Sequence, residues 1–104
     1  MREDDTPEIG MGVTARYATD REAFTVVEIL GPRKIVIQRD KATLTSGDIR
    51  KNAQVYDIQP DPDGEKRTLS LRKTGQWLQV GDATSDPSVT YVIGYRREYY
   101  DPEF

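Results

Sequence analysis

The side chains of this chain best equipped for chemistry are arginines, tyrosines and carboxylates. The chain contains no histidine and no cysteine. Without histidine it lacks the usual general base, the usual proton shuttle and the commonest metal ligand. Without cysteine it has no thiolate nucleophile, no thiolate metal site and no disulfide. Hydrolytic or transfer chemistry would therefore run on carboxylates, lysine or tyrosine. The acidic pairs are Asp4/Asp5, near the start, and Asp61/Asp63, inside "PDPDGE". The latter stretch lacks the ligand positions of an EF-hand calcium loop. It reads as a turn, because Pro, Asp and Gly each favour a turn position by a different mechanism. Asp20-Arg21 reads as a turn with a local ion pair. "GMG" (Gly10–Gly12) is followed by no helix, so the phosphate-loop fingerprints fail, and it reads as backbone freedom at a strand entry. The expectation is a protein that binds without turnover, with no cofactor and no metal.

Binding by aromatic and arginine side chains needs none of the missing groups. Tyr17, Tyr56, Trp77, Tyr91, Tyr95, Tyr99 and Tyr100 fall mostly in strand-like stretches, and arginines outnumber lysines ten to five. Arginine is the better fork for phosphate and the better stacking plane. An aromatic ring stacked on a base contributes roughly 1–3 kcal/mol, and a charge-assisted hydrogen bond to phosphate about 1.5–3 kcal/mol. The competing reading makes Trp77 and some of the tyrosines core or subunit interface. A formal net charge of −3 argues against a duplex nucleic-acid binder, whose affinity comes from neutralising many phosphates, while leaving room for a small anionic ligand held by a local cluster.

The elements that would position these residues are strands. With 104 residues the chain is one domain: an acidic arm over residues 1–8 and a single β domain over 9–104. "AFTVVEIL" and "KIVIQRD" flank a "GPR" turn and read as a hairpin. "AQVYDIQP" alternates, as does "EKRTLSLRKTG", with Leu69 and Leu71 on one face and Arg67 near its end. "QWLQVG" and "VTYVIGYRREYY" follow, and "KATLTSGDIRKN" reads as a loop. If the last run is an unbroken strand, Tyr91, Ile93, Tyr95, Arg97 and Tyr99 share one face, with Gly94, Arg96 and Tyr100 on the other. About six or seven antiparallel strands without a helical period make an all-β chain, a small barrel or compact sandwich. No apolar run approaches the ~20 residues of a membrane span, and no leader precedes the acidic start, so a cytoplasmic setting is expected.

Taken together, "GMGVTARYATDREAFTVVEI", "KIVIQRDKA", "DIQPDPDGEKRTLSLRKTGQWLQVG" and "IGYRREYYDPEF" resemble a widespread family of small phage β-proteins associated with anti-CBASS sponges. The match covers roughly Gly10 to Phe104. The resemblance implies an oligomeric, non-catalytic β-protein, acting in the host cytoplasm, that sequesters a nucleotide immune signal: a cyclic dinucleotide, a cyclic trinucleotide or an ADP-ribose derivative. Carried over by position, its ligand residues are Tyr17, Asp20, Arg21, Lys41, Arg72, Lys73, Trp77, Arg96, Tyr99 and Tyr100. Thr74 stands where the family often has Asn. The rival readings are a phage structural or assembly accessory and an acidic inhibitor of a host nucleic-acid enzyme.

Overall fold

The structure, a computed structural model, describes residues 6–46, 55–85 and 87–99. The eight described strands are β1 (Gly12–Arg16), β2 (Arg21–Gly31), β3 (Lys34–Arg39), β4 (Lys41–Ser46), β5 (Val55–Gln59), β6 (Lys66–Leu71), β7 (Trp77–Gln79) and β8 (Thr90–Ile93). Six of them close an antiparallel barrel in the order β1-β2-β3-β6-β7-β8, and β4 and β5 pair separately as a two-stranded arm. Of the small barrel or compact sandwich expected, the observed all-β fold is the barrel.

Alternation dictates the barrel interior. Val13 and Ala15 of β1, Phe24 and Val26 of β2, Ile35 and Ile37 of β3, Leu69 of β6, Trp77 of β7 and Tyr91 of β8 form one buried cluster. Each set keeps the two-residue period that sends alternate side chains inward. Two register shifts in the β2–β3 pair, at Val26/Glu28 and Ile29/Gly31, give the long β2 the extra local twist that bulges supply. Turn chemistry fixes the connections. Gly64 N–H bonds the Asp61 carbonyl at 3.0 Å, and Asp63 N–H bonds the Asp61 carboxylate at 2.9 Å. The buried Gln38 holds this turn by donating to the carbonyls of Pro62 and Gly64. In the β6–β7 turn Gly75 takes a φ of 90°, a left-handed conformation that glycine adopts without strain.

Two sequence expectations are corrected here. The first part of "KATLTSGDIRKN" is strand β4, not loop, whereas residues 47–52 lie outside the described residues. Polar alternation with threonine is what a strand on a solvated arm looks like. The last strand ends at Ile93, where Gly94 takes a φ of 119°, so the face assignment carried by parity through Tyr99 fails beyond that point. Residues 94–99 instead run as a strap over the outside of the barrel. The Thr14 hydroxyl donates to the Tyr95 carbonyl, and Arg21 and Tyr99 exchange backbone bonds of 2.8 and 2.9 Å. The strap thus extends β2 beyond the point where β3 ends.

Adjacent barrel residues grip the strap with opposite charges. Arg39 forks onto Glu98 at 2.9 and 2.8 Å, and Glu98 also accepts the Ala23 N–H. Asp40 accepts from Arg96 at 3.0 Å and from the Thr25 hydroxyl at 2.5 Å. Glu98 and Asp40 are both buried. Gly12 makes room for the strap: a Cβ there would lie 2.7 Å from Arg96 Cγ and 3.0 Å from the Tyr95 carbonyl carbon.

Candidate ligand site at the barrel mouth

The inward-facing rows do not stay apolar along their length. At the end where β2 and β6 begin and β3 finishes, the same parity delivers charged and phenolic side chains. Tyr17 continues the Val13–Ala15 row, Glu22 precedes Phe24, Arg39 follows Ile37, and Arg67 precedes Leu69. The barrel therefore grades from an aliphatic interior to a polar mouth built on the Phe24 ring. The guanidinium carbons of Arg67 and Arg39 lie 4.9 and 5.8 Å from that ring's centroid, within cation–π reach.

Arg67 organises this mouth. Its Nε donates to Glu65 at 2.8 Å, and its Nη1 donates to the hydroxyls of Tyr17 and Tyr91 at 3.1 and 3.0 Å. Burial works against its charged form, but the hydrogen bonds it donates to Glu65, Tyr17 and Tyr91 outweigh it and hold its pKa above the ordinary value. The Tyr17 hydroxyl donates onward to Glu22 at 2.7 Å, and Glu22 lies 3.7 Å from Arg39. Burial and the Glu22 contact raise the Tyr17 phenol, against the opposing pull of Arg67. Tyr91 is raised chiefly by burial, again against Arg67. Tyr56 of β5 is raised by burial and by the Glu98 charge.

Two hydrogen-bonding groups at the mouth have a donor without a partner among the described residues. Arg67 Nη2 donates to none of the described residues, and Tyr91 accepts from Arg67 without passing its own hydroxyl proton to any of them. Deeper in the barrel, Trp77 pairs in register with Tyr91, and its buried Nε1 likewise has no acceptor among the described residues. An acceptor-rich group entering here would meet a guanidinium edge and a phenol that are already largely desolvated.

The residues expected from the sequence divide between several places. Tyr17, Arg21 and Tyr99 come together at the mouth end, with Arg21 donating to the carbonyls of Tyr17 and Asp20. Asp20 shapes that turn through its carbonyl, which accepts the Tyr17 N–H. Lys41 is exposed at the start of the arm. Arg72 and Lys73 lie at the opposite end of β6. Arg72 there ties down the loop after β7 through the carbonyls of Asp82 and Gln79 and the Thr84 hydroxyl. Thr74, in the same turn, is exposed and bonds Gln76. Trp77 is 4% exposed, so neither ring face is open to a base from solvent. The Arg96 guanidinium is engaged by Asp40, Thr25 and the Gly10 carbonyl. Among the described residues its acidic partner is Asp40, at 3.0 Å. Tyr100 lies outside the described residues.

The sequence reading missed Arg39, Arg67, Tyr91 and Glu22 as site residues. The signal was present: Arg67 shares parity with Leu69 and Leu71, and Arg39 with Ile35 and Ile37. An arginine at an inward position at the end of an apolar row belongs to the barrel mouth.

No protein-family model matches the chain, and comparison with curated proteins and with solved structures finds no match.

Proposed function

We propose that this protein is a non-catalytic binder that captures an anionic nucleotide signal at the barrel mouth and withholds it from its receptor. The observation that carries the reading is Arg67. It is a charged guanidinium held 15% exposed over Phe24, with its Nη2 edge unengaged by the described residues and the Tyr91 hydroxyl beside it. A phosphate oxygen satisfies both donors, and the surrounding tyrosines offer ring area for a base. β-Barrel mouths are common sites for small ligands, and a few convergent polar groups fix the orientation. The nucleotide class follows from the motif resemblance, with a cyclic dinucleotide, a cyclic trinucleotide or an ADP-ribose derivative as the ligand. Arg67 takes the phosphate-binding part, because Arg72 and Arg96, which the resemblance carries over as ligand residues, already hold a loop and the strap with their guanidinium groups.

The test is a thermal-shift panel of cyclic dinucleotides, cyclic trinucleotides and ADP-ribose isomers. A specific ligand at 100 times its Kd stabilises by about 2.7 kcal/mol, which is several degrees for a domain of this size. Arg67→Lys keeps the charge and loses the fork, so it should abolish most of that shift. The ligand should be recovered chemically unchanged after the protein is denatured. A flat panel refutes the reading and leaves the structural accessory role as its replacement.

A further inference from the structure

We propose that two copies of this chain associate through the outer edge of β4, forming a continuous four-stranded sheet β5-β4-β4-β5 across a two-fold axis at Thr43. Closure of the barrel through β8 and β1 pairs the edges of its strands, and the end of β2 that β3 leaves uncovered is taken by Tyr99. Among the described strands, those of the arm have one edge open along their whole length, whereas β2 outruns β1 only over its last residues. A two-stranded ribbon is marginal by itself in water, and an open edge is a template for another strand.

The side chains choose between the two edges and set the register. In the arm Ala42 pairs with Ile58 and Leu44 with Tyr56, while Lys41 pairs with Gln59 and Thr43 with Asp57. Ala42, Leu44, Tyr56 and Ile58 therefore form an apolar face, and Lys41, Thr43, Asp57 and Gln59 a polar one. Full-length antiparallel self-pairing of β5 would centre on Asp57 and set two carboxylates opposite each other, a destabilising arrangement. Self-pairing of β4 centred on Thr43 opposes no like charges. It sets Thr43 against its own copy, a favourable cross-strand pair, and Ala42 against Leu44 of the second copy. The apolar face then runs unbroken as Ile58–Ala42–Leu44–Tyr56 across all four strands, and Leu44, now 38% exposed, gains a neighbour. A shift by one residue would instead lay the apolar face of one copy against the polar face of the other. The β4 bulge at Leu44/Ser46 limits the ladder to a few residues, comparable with the three and four residues of β7 and β8.

The absence of native cysteine makes the test clean. Sedimentation analysis of the intact wild-type chain should give a dimer. Residues opposite each other on an antiparallel pair lie within the ~4.4–6.8 Å Cα separation that a disulfide spans. Thr43→Cys, oxidised by air with copper phenanthroline, should therefore form a covalent dimer nearly completely. In this register the two copies of residue 41 sit about 14 Å apart, four residue rises of ~3.4 Å, so Lys41→Cys should not cross-link, and Asp57→Cys on the far strand should not either. A monomer at high micromolar concentration overturns the proposal. So does a dimer in which Thr43→Cys cross-links no faster than Lys41→Cys or Asp57→Cys.

Discussion

Glu98→Ala tests whether the strap is part of the fold or an ornament on it. The Glu98 side chain is 1% exposed and accepts two charge-assisted bonds from Arg39 and a third from the Ala23 N–H. Breaking a buried pair by removing one partner costs about 3–5 kcal/mol, because the other charge is left uncompensated. Arg39 is 22% exposed and keeps the Glu22 carboxylate at 3.7 Å and the carbonyls of Ala23 and Asp40, so part of its charge stays compensated or rehydrates and the lower value, about 3 kcal/mol, applies. In a domain whose total stability is roughly 5–15 kcal/mol, that is a drop in Tm of about 10–20 °C. The same logic applies to Arg96→Ala, which strips the buried Asp40 of its cation but leaves it the Thr25 hydroxyl. Because residues 94–99 are gripped at both Arg39 and Asp40, releasing one grip should loosen the other. The double variant Glu98→Ala/Arg96→Ala should therefore cost at least about 1 kcal/mol less than the sum of the single variants, a coupling expected of groups in one network. Urea unfolding of the four proteins at neutral pH measures this. A Glu98→Ala loss below about 0.5 kcal/mol, the size of an ordinary surface effect, would refute the reasoning. Additivity within about 0.3–0.5 kcal/mol would show that the two pairs act independently.

Gly12→Ala should destabilise by about 1–3 kcal/mol, as overpacking does, because the new methyl meets the Arg96 stem and the Tyr95 backbone; circular-dichroism melts check it. Alkaline titration followed at 295 nm should show tyrosines ionising above the ordinary value of 10.0, and Tyr91→Phe should remove one of them. The sign follows from linkage: the fold favours the neutral phenol, so the stabilisation is complete below about pH 10 and is lost as pH rises through the folded pKa. Trp77 is the only tryptophan and neighbours Tyr91 in register. A nucleotide captured at the mouth should change its emission in wild type but not in Arg67→Lys, as read by fluorescence titration. Arg72→Ala should leave nucleotide affinity within twofold while speeding amide exchange around Asp82 and Thr84, whose anchor it removes.

The all-β class, most strands and the turns could be read from the sequence because each rests on neighbouring residues. Alternation in "RTLSLRK" sends Leu69 inward whatever lies across the sheet. "PDPDG" turns because its own Asp61 carboxylate and carbonyl catch the next N–H groups. The arginine–tyrosine inventory raised an expectation of binding, and the missing histidine and cysteine narrowed the chemistry, without reference to any fold.

Which arginine does what was decided by the tertiary structure. Arg96 and Asp40 are 56 residues apart, and Arg39 and Glu98 are 59 apart. Nothing local distinguishes "RRE" as a strap clasp from "RRE" as a phosphate fork. The break at Gly94 is a backbone choice that parity cannot foresee, because glycine enters the positive-φ region without cost. Arg67 became the centre of the mouth only when barrel closure carried β8 and the end of β1 across to β6, setting Tyr91 and Tyr17 against one guanidinium. Hydrogen bonds and charge pairing depend on distance through space, and in a closed barrel that distance is set by strand order and register, not by separation along the chain.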